Sequence, residues 1–126
     1  MELTAAHLRY LLAIYALARA RSQVVAVDVS KTLGVSKPSV TRMLGVLRER
    51  GLLLQERYGK ISLTEEGRRL AAAYDGCVRC LGARLEETGL DLTEEERTGL
   101  ACLLAASLPA RTREALLTHA ESNPDT

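Results

Sequence analysis

The most informative pattern of hydrophobic and polar positions lies between Val27 and Thr64. It begins with a short helical segment, for which Asp28 is the expected N-terminal cap and Gly34 the expected end. A second helix is predicted after Ser36, a residue type that favours the N-cap position, and it should end at Gly51. Its buried stripe is expected to consist of Val40, Met43, Leu44 and Leu47.

Two short strands are predicted to follow the second helix. They cover Leu52–Gln55 and Lys60–Leu63, and the chain reverses between them around Tyr58 and Gly59. The order helix, turn, helix, hairpin is typical of a winged helix-turn-helix. In that arrangement the second helix enters the major groove of DNA.

Helices are predicted on both sides of this central segment, at residues 4–20, 64–88, 93–108 and 111–120. Thr93 and Glu96 have the spacing of a capping box at the start of the third of these helices. That helix is almost entirely apolar from Leu100 to Leu108, which predicts burial, most simply at a dimer interface. The link Arg21–Ala26 contains two valines and is interpreted as a short edge strand.

These elements predict a mainly α fold with a small β-hairpin wing. We expect a winged helix-turn-helix DNA-binding domain at residues 1–73, a C-terminal helical dimerisation region at 74–120 and a disordered tail at 121–126. Charge supports this division. Residues 31–69 carry nine Lys or Arg against four Glu, whereas residues 75–126 carry five Arg against ten acids. A basic middle segment favours a phosphate-binding surface, and an acidic end favours self-association or sensing.

Several classes of protein are disfavoured by the same sequence. No apolar run is long enough to span a bilayer, and the N-terminus lacks a signal pattern, so we expect a cytoplasmic protein. Three cysteines, an odd number, argue against a secreted disulfide framework. We find no nucleophile–base pair, Gly-rich phosphate loop or paired carboxylates in a recognisable setting, so an enzyme is not expected.

The phrases LGVSKPSVTRML, RERGLL and LTEEGRRLA, with YLLAIYAL upstream and LGARLEETGL downstream, resemble the metal-dependent repressors of the diphtheria toxin repressor and manganese repressor type. MarR-like regulators of small ligands share the wing and a similar LTxxG phrase, and they are the alternative. The resemblance implies a homodimer that binds double-stranded DNA at a palindromic operator and responds to Fe²⁺ or Mn²⁺. The residues that match the DNA-facing stretch are Ser36, Lys37, Pro38, Ser39, Thr41 and Arg42, with Arg57 and Lys60 at the wing.

The metal ligands of this family do not carry over. The resemblance implies acids on the first helix, a His after the wing, and a Glu-x-x-Glu-His or Cys-x-x-Glu-His phrase on the next helix. The matching positions here are Arg9, Leu12, Val78 and either Leu100, Leu103 and Leu104 or, two residues later, Cys102, Ala105 and Ala106. A site of oxygen and imidazole ligands therefore cannot form as the family builds it. The leucines suggest that packing fills it.

Softer ligands lie near the same positions. Cys77 and Cys80 share one helical face, Cys102 lies on the next helix, and His7 lies on the first. Together they would suit Zn²⁺ or another thiophilic transition metal, and the thiols could sense oxidants. The alternative is that the three cysteines are small buried apolar residues. His119 has no evident partner in the sequence and is interpreted as a surface residue.

The function expected from the sequence is that of a DNA-binding transcription regulator, most simply a repressor, with a degenerate or altered metal site. A MarR-like regulator of a small ligand and a thiol-based Zn²⁺ or redox sensor are the alternatives. A winged helix that serves only as a dimerisation adaptor is a further one, but the basic segment argues against it.

Overall fold

Across residues 2–122, a computed structural model of the protein contains six α-helices and one antiparallel β-hairpin. The mainly α fold with a β-hairpin wing is therefore confirmed. The elements are α1 (Ala5–Ala20), α2 (Ala26–Leu33), α3 (Lys37–Glu49), β1 (Leu53–Gln55), β2 (Ile61–Leu63), α4 (Glu65–Glu87), α5 (Glu94–Ala106) and α6 (Ala110–Ser122). The tail predicted at 121–126 starts inside α6, and residues 123–126 lie outside the described part of the chain.

The described residues form two compact units. Tyr10–Ala71 make up the first, which holds the helix-turn-helix and the wing, and the residues on either side make up the second. The sequence did not predict that residues before Tyr10 would group with the C-terminal helices. Two ion pairs within the second unit accompany this grouping, Arg9 with Glu95 at 3.6 Å and Glu2 with Arg113 at 3.8 Å. The domain limits proposed from the sequence stay a prediction.

The core of the first unit is aliphatic, because the chain contains no Phe or Trp. On α3, Val40, Leu44 and Leu47 are buried as the spacing predicts, and Met43 is half-buried. The residues that surround them in the core of this unit are Leu11, Ile14, Val24, Val29, Leu52, Leu53, Ile61, Leu63 and Leu70. The opposite side of α3 is thereby left to solvent.

The start of α2 differs from the prediction. Val25, not Asp28, is the N-cap residue, and Asp28 lies three residues inside the helix. There its carboxylate accepts a hydrogen bond from the Val25 backbone N–H at 2.9 Å and pairs with Arg21 at 2.6 Å. An acidic residue at the third position of a helix can accept a hydrogen bond from the N–H of the N-cap residue. Asp28 therefore looks like an N-cap in the sequence, although it lies inside the helix.

The predicted edge strand is also absent from the described sheet, which consists of β1 and β2 alone. The Val24 carbonyl accepts one hydrogen bond from the Ile61 N–H at 2.8 Å, and α2 begins two residues later. This single backbone hydrogen bond connects the segment with β2 but does not add a third strand to the sheet. The link is thus an arm that supports the wing from one side.

The hairpin pairs Leu53 with Leu63 and Gln55 with Ile61, close to the predicted limits. Its base is fixed by Thr64. The Thr64 hydroxyl donates to the Gly51 carbonyl at 2.6 Å and accepts from the Gly67 N–H at 3.0 Å. The end of α3, the base of the wing and the first turn of α4 are therefore joined through one side chain.

In the second unit, the capping box predicted at the start of α5 is confirmed. The Thr93 hydroxyl accepts from the Glu96 N–H at 3.0 Å, and the Glu96 carboxylate accepts from the Thr93 N–H at 2.9 Å. The buried side of α5 consists of Ala101, Cys102 and Ala105.

Leu100, Leu103 and Leu104 are exposed on the other side of α5. The chain's own packing therefore does not fill the positions of these leucines, and their burial at a dimer interface stays a prediction. Small residues allow a close approach on the inner side of the helix, and the larger side chains point outward.

Candidate nucleic-acid interface

The first turn of α3 is held in place by two serines. Ser36 is the N-cap, as predicted, and its hydroxyl oxygen accepts from the Ser39 N–H at 3.3 Å. The Ser36 hydroxyl also donates to the Ser39 hydroxyl oxygen at 2.9 Å. Pro38 lies in the first turn, where a missing N–H is tolerated. Ser39 keeps a hydroxyl proton that it can donate to a phosphate oxygen or a base edge.

The solvent side of α3 carries polar and cationic groups. Lys37, Thr41 and Arg42 are exposed, and they lie away from the buried stripe of the same helix. Within the described residues, neither Lys37 nor Arg42 has an acidic partner within ion-pair distance. The positive end of the helix dipole adds to the field of these cations. This surface is chemically suited to phosphates and to the acceptor groups of bases.

The size of α3 fits a groove of duplex DNA. Thirteen residues give a helix length of about 20 Å at 1.5 Å per residue. The major groove is about 12 Å wide and admits one α-helix. Arg48, near the C-terminal end, donates to the Gln55 side chain at 3.0 Å and so connects α3 with β1.

The wing presents a second basic surface. Arg57 is exposed and has no acidic partner among the described residues, while Lys60 is half-buried and lies 3.8 Å from Glu56. An exposed pair at this distance contributes little to stability, so Lys60 remains available to a phosphate. The wing turn is closed by a hydrogen bond from the Glu56 N–H to the Lys60 carbonyl at 2.7 Å.

Sequence reasoning missed Tyr58 at the tip of the wing. Its side chain is 97% exposed, and its backbone has a φ of 65°, the left-handed region that favours glycine. A large aromatic residue in this conformation is uncommon, and backbone strain of this kind concentrates at functional sites. The aromatic residue in the polar turn before Gly59 was the signal available in the sequence.

The four proposed soft ligands are not brought together as a metal site. Within residues 2–122, no group of three or more His, Cys, Asp or Glu side chains could hold a metal ion. Cys102 is buried, Cys77 is half-buried and Cys80 is exposed. The Nδ1 atom of His7 accepts a hydrogen bond from the Thr4 N–H at 3.0 Å, so it completes a capping box at the start of α1.

The environments of Cys77 and Cys102 differ from those of reactive cysteines. Burial raises the pKa of the Cys77 thiol, and the neighbouring Cys80 raises it further. Burial also raises the pKa of the Cys102 thiol, against a smaller opposing effect of Arg9. A raised thiol pKa reduces the fraction of thiolate, the form that binds metals and reacts with oxidants.

The resemblance assigns the family's metal-ligand positions to residues whose surroundings the structure describes. Arg9 carries a positive charge and pairs with Glu95, and Val78 is buried. The three leucines of α5 offer no ligand atom. In the alternative register, Cys102 is the single ligating side chain, because Ala105 and Ala106 have none.

The chain is similar to known proteins in both sequence and fold. Residues 2–61 match the family model described as the iron dependent repressor, N-terminal DNA binding domain. The fold is similar to that of the manganese regulator SloR, with a TM-score of 0.70 and 23% identity over 96% of this chain and 55% of SloR. It is also similar to IdeR of T. acidophilum, with a TM-score of 0.63 and 20% identity over 89% of this chain and 52% of IdeR.

A shorter protein shares the fold over most of its length. The hypothetical protein SSo2273 from Sulfolobus solfataricus matches with a TM-score of 0.63 and 19% identity, over 93% of this chain and 88% of that protein. The present chain spans about half the length of SloR and IdeR. At these identities the likeness concerns the fold.

No helix within the described residues is long and apolar enough to cross a membrane. The helix-turn-helix, the wing and the cationic face of α3 all lie in or directly beside the segment that matches the repressor model. The matched model is that of a repressor's DNA-binding domain. Residues 2–61 are therefore similar to the N-terminal DNA-binding domain of iron dependent repressors, and the fold of the chain is similar to that of metal-dependent regulators such as SloR and MtsR.

Proposed function

We propose that the protein is a transcription regulator, most simply a repressor, that binds operator DNA with α3 in the major groove and the wing beside the backbone. The observation that carries this proposal is the solvent side of α3. Lys37, Thr41 and Arg42 are exposed there, and both cations lack acidic partners among the described residues. Such a surface gains free energy mainly by replacing the counterions of phosphates. A regulator of this kind acts in the cytoplasm.

The regulator acts as a homodimer on a palindromic operator. Support comes from α5, where Leu100, Leu103 and Leu104 expose a row of apolar side chains. A helix with small buried residues on one side and large exposed leucines on the other has two apolar sides and needs a second partner. A second copy of the chain provides a self-complementary surface and pairs the two recognition helices for two half-sites.

DNA binding does not depend on Mn²⁺ or Fe²⁺ in this protein, because the family's site is degenerate. Arg9 stands where the family supplies an acid, and the leucines of α5 stand where it supplies Glu and His. A guanidinium group repels a divalent cation, and a leucine offers it no electron pair. Glu95, an acidic residue that could otherwise bind a metal, is paired with Arg9 at 3.6 Å.

The DNA-binding proposal is tested by measuring affinity for duplex DNA at several salt concentrations. Arg42→Ala is expected to weaken binding by about 1–3 kcal/mol and to reduce the salt slope by about one unit. Arg84→Ala is the matched control, since Arg84 is also an exposed arginine on a helix but pairs with Glu87 at 3.0 Å. Equal affinities and slopes for Arg42→Ala and the native protein would refute the assignment of α3.

The metal proposal is tested by elemental analysis of the purified, reduced protein and by DNA titrations with added Mn²⁺, Fe²⁺ or Zn²⁺. We expect no stoichiometric metal and no gain in affinity. About one Zn²⁺ per chain, lost in Cys77→Ser or Cys102→Ser, would instead identify a thiol-ligated regulator. The raised pKa values of these two thiols argue against that outcome.

A further inference from the structure

A groove beside the wing has a composition that DNA binding alone does not explain. It has a volume of about 350 Å³ and lies within the first unit, between the end of α1, the arm at residues 21–24, β2 and the first turn of α4. Buried Val24, Ile61 and Leu63 form its floor. Tyr15 and Ser62, which carry hydroxyl groups, also line it.

Cations surround the groove, and no acidic residue lines it. The four cationic residues are Arg19, Arg21, Lys60 and Arg68. Arg21 is neutralised by Asp28 at 2.6 Å, and Lys60 is partly neutralised by Glu56 at 3.8 Å.

The other two cations have no such partner. Within the described residues, Arg19 has no acidic group in ion-pair distance, and its guanidinium lies 5.3 Å from the centre of the Tyr15 ring. Arg68 donates a hydrogen bond to the Leu63 carbonyl at 3.4 Å, and no acidic group of the described residues pairs with it. Two uncompensated guanidinium groups at one concavity match an anion with two negative charges, because each can donate two parallel hydrogen bonds to a carboxylate or phosphate.

The shape favours a small molecule over the DNA backbone. The groove is of a size that small ligands fill, with apolar floor residues and a few polar groups at the rim. None of the exposed residues of α3 lines it. The Tyr15 ring beside Arg19 adds a flat apolar surface, which suits an anion attached to an aromatic or aliphatic body.

The groove shares a wall with the wing. Lys60, Ile61 and Ser62 line it, and Lys60 also belongs to the proposed DNA surface. An anion bound here would compete with a DNA phosphate for the Lys60 ammonium group. By linkage, DNA and the anion then lower each other's affinity by the same factor.

We propose that this groove binds a small organic dianion, carrying either a phosphate monoester or two carboxylates, and that occupancy weakens DNA binding through Lys60. The proposal that an anion binds here depends only on the properties of the groove. The effect on DNA rests on the proposed function.

The test uses the full chain labelled with ¹⁵N, titrated with phenyl phosphate and with phthalate at constant ionic strength. Saturable shifts are expected at the amides of residues 19–22 and 60–63. Benzyl alcohol, which is neutral, should cause none. In the double variant Arg19→Gln, Arg68→Gln the affinity for the better probe should fall at least about tenfold. The control variant Arg79→Gln, Arg84→Gln lacks two exposed arginines of α4, and it should bind the better probe with native affinity.

DNA affinity is then measured with and without a saturating concentration of the better probe. The probe should lower the DNA affinity of the native protein by about five- to tenfold. The DNA affinity of the double variant Arg19→Gln, Arg68→Gln should not change when the probe is added. If neither probe gives saturable shifts, or if both double variants lose affinity equally, the site does not exist. If the probes fail to bind while Arg19→Gln, Arg68→Gln weakens DNA binding and its salt slope, the cations contact the DNA backbone instead. Probe binding by a protein that fails to bind any DNA would refute the proposed function and leave the anion site intact.

Discussion

Gly67 lies directly against the backbone of Leu52, so that a Cβ atom added to Gly67 would stand 1.9 Å from the Leu52 carbonyl oxygen. The same oxygen accepts a hydrogen bond from the Thr64 N–H at 3.1 Å. The first turn of α4 therefore touches the base of the wing at a distance that only glycine permits. This contact gives a physical reason for the glycine in the LTEEG phrase.

Gly67→Ala is expected to destabilise the protein by about 1–3 kcal/mol, because the first turn of α4 must move away from Leu52. Gly76→Ala is the control in the same helix. A Cβ at Gly76 meets no atom within 4 Å, so alanine should be neutral or stabilise by up to about 1 kcal/mol. Urea denaturation of both variants decides the question. A loss of similar size in the two would show that the close approach to Leu52 is not the cause.

Replacing Tyr58 should separate stability from DNA binding. Tyr58→Gly removes the strain of a left-handed non-glycine residue and should stabilise the protein by up to about 1 kcal/mol. Tyr58→Ala keeps the strain and should leave stability nearly unchanged. If the aromatic ring contacts DNA, both variants should bind DNA more weakly than the native protein. Native affinity in both would remove Tyr58 from the interface.

The leucines of α5 should control the oligomeric state. In a two-fold interface each substitution occurs twice, so Leu103→Glu should raise the dimer dissociation constant at least about 100-fold. Leu54→Glu is a matched control, because Leu54 and Leu103 are each 54% exposed. Sedimentation velocity over a range of concentrations provides the measurement. Equal sedimentation of the two variants and the native protein would place the interface elsewhere.

Thiol reactivity should follow burial and pKa. DTNB is expected to modify exposed Cys80 first, Cys77 more slowly and Cys102 only after unfolding. Because the folded state raises the pKa of Cys77 and Cys102, it holds their protons more tightly than the unfolded chain does. Their contribution to stability is therefore complete below the ordinary thiol pKa of about 8.5 and is lost as the pH rises through the raised values. Mass spectrometry of partly modified protein gives the order, and rapid labelling of Cys102 at pH 8 would contradict it.

Local sequence signals predicted where α3 and α5 begin. Ser36 and the pair Thr93–Glu96 act as caps because their hydrogen bonds span only three residues. The prediction that Asp28 is the N-cap of α2 was wrong for a related reason. Its carboxylate lies inside the first turn and accepts a hydrogen bond from the N–H of Val25, the actual N-cap. The Val24 arm makes its single bond to Ile61, far along the chain, and such a contact leaves no local signal.

The candidate site was less predictable for a different reason. Periodicity shows that α5 has apolar residues on every side, but it does not show which side meets the rest of its own unit. The structure buries Ala101 and Ala105 and exposes Leu103 and Leu104. Likewise, the groove beside the wing is lined by Arg19 and Arg68, two residues that lie 49 positions apart in the sequence and belong to different helices. Only the folded chain brings these two charges to one concavity.

The exposed tyrosine of the wing gives the protein an intrinsic fluorescent reporter of contact at the wing. The chain has four tyrosines and no tryptophan, so its ultraviolet emission comes from tyrosine alone. Tyr10 and Tyr74 are buried and Tyr15 is half-buried, which leaves Tyr58 as the ring most open to a dissolved quencher such as iodide. The quenchable part of the emission therefore reports from the tip of the wing, and shielding of that part by a duplex would record contact there without any label.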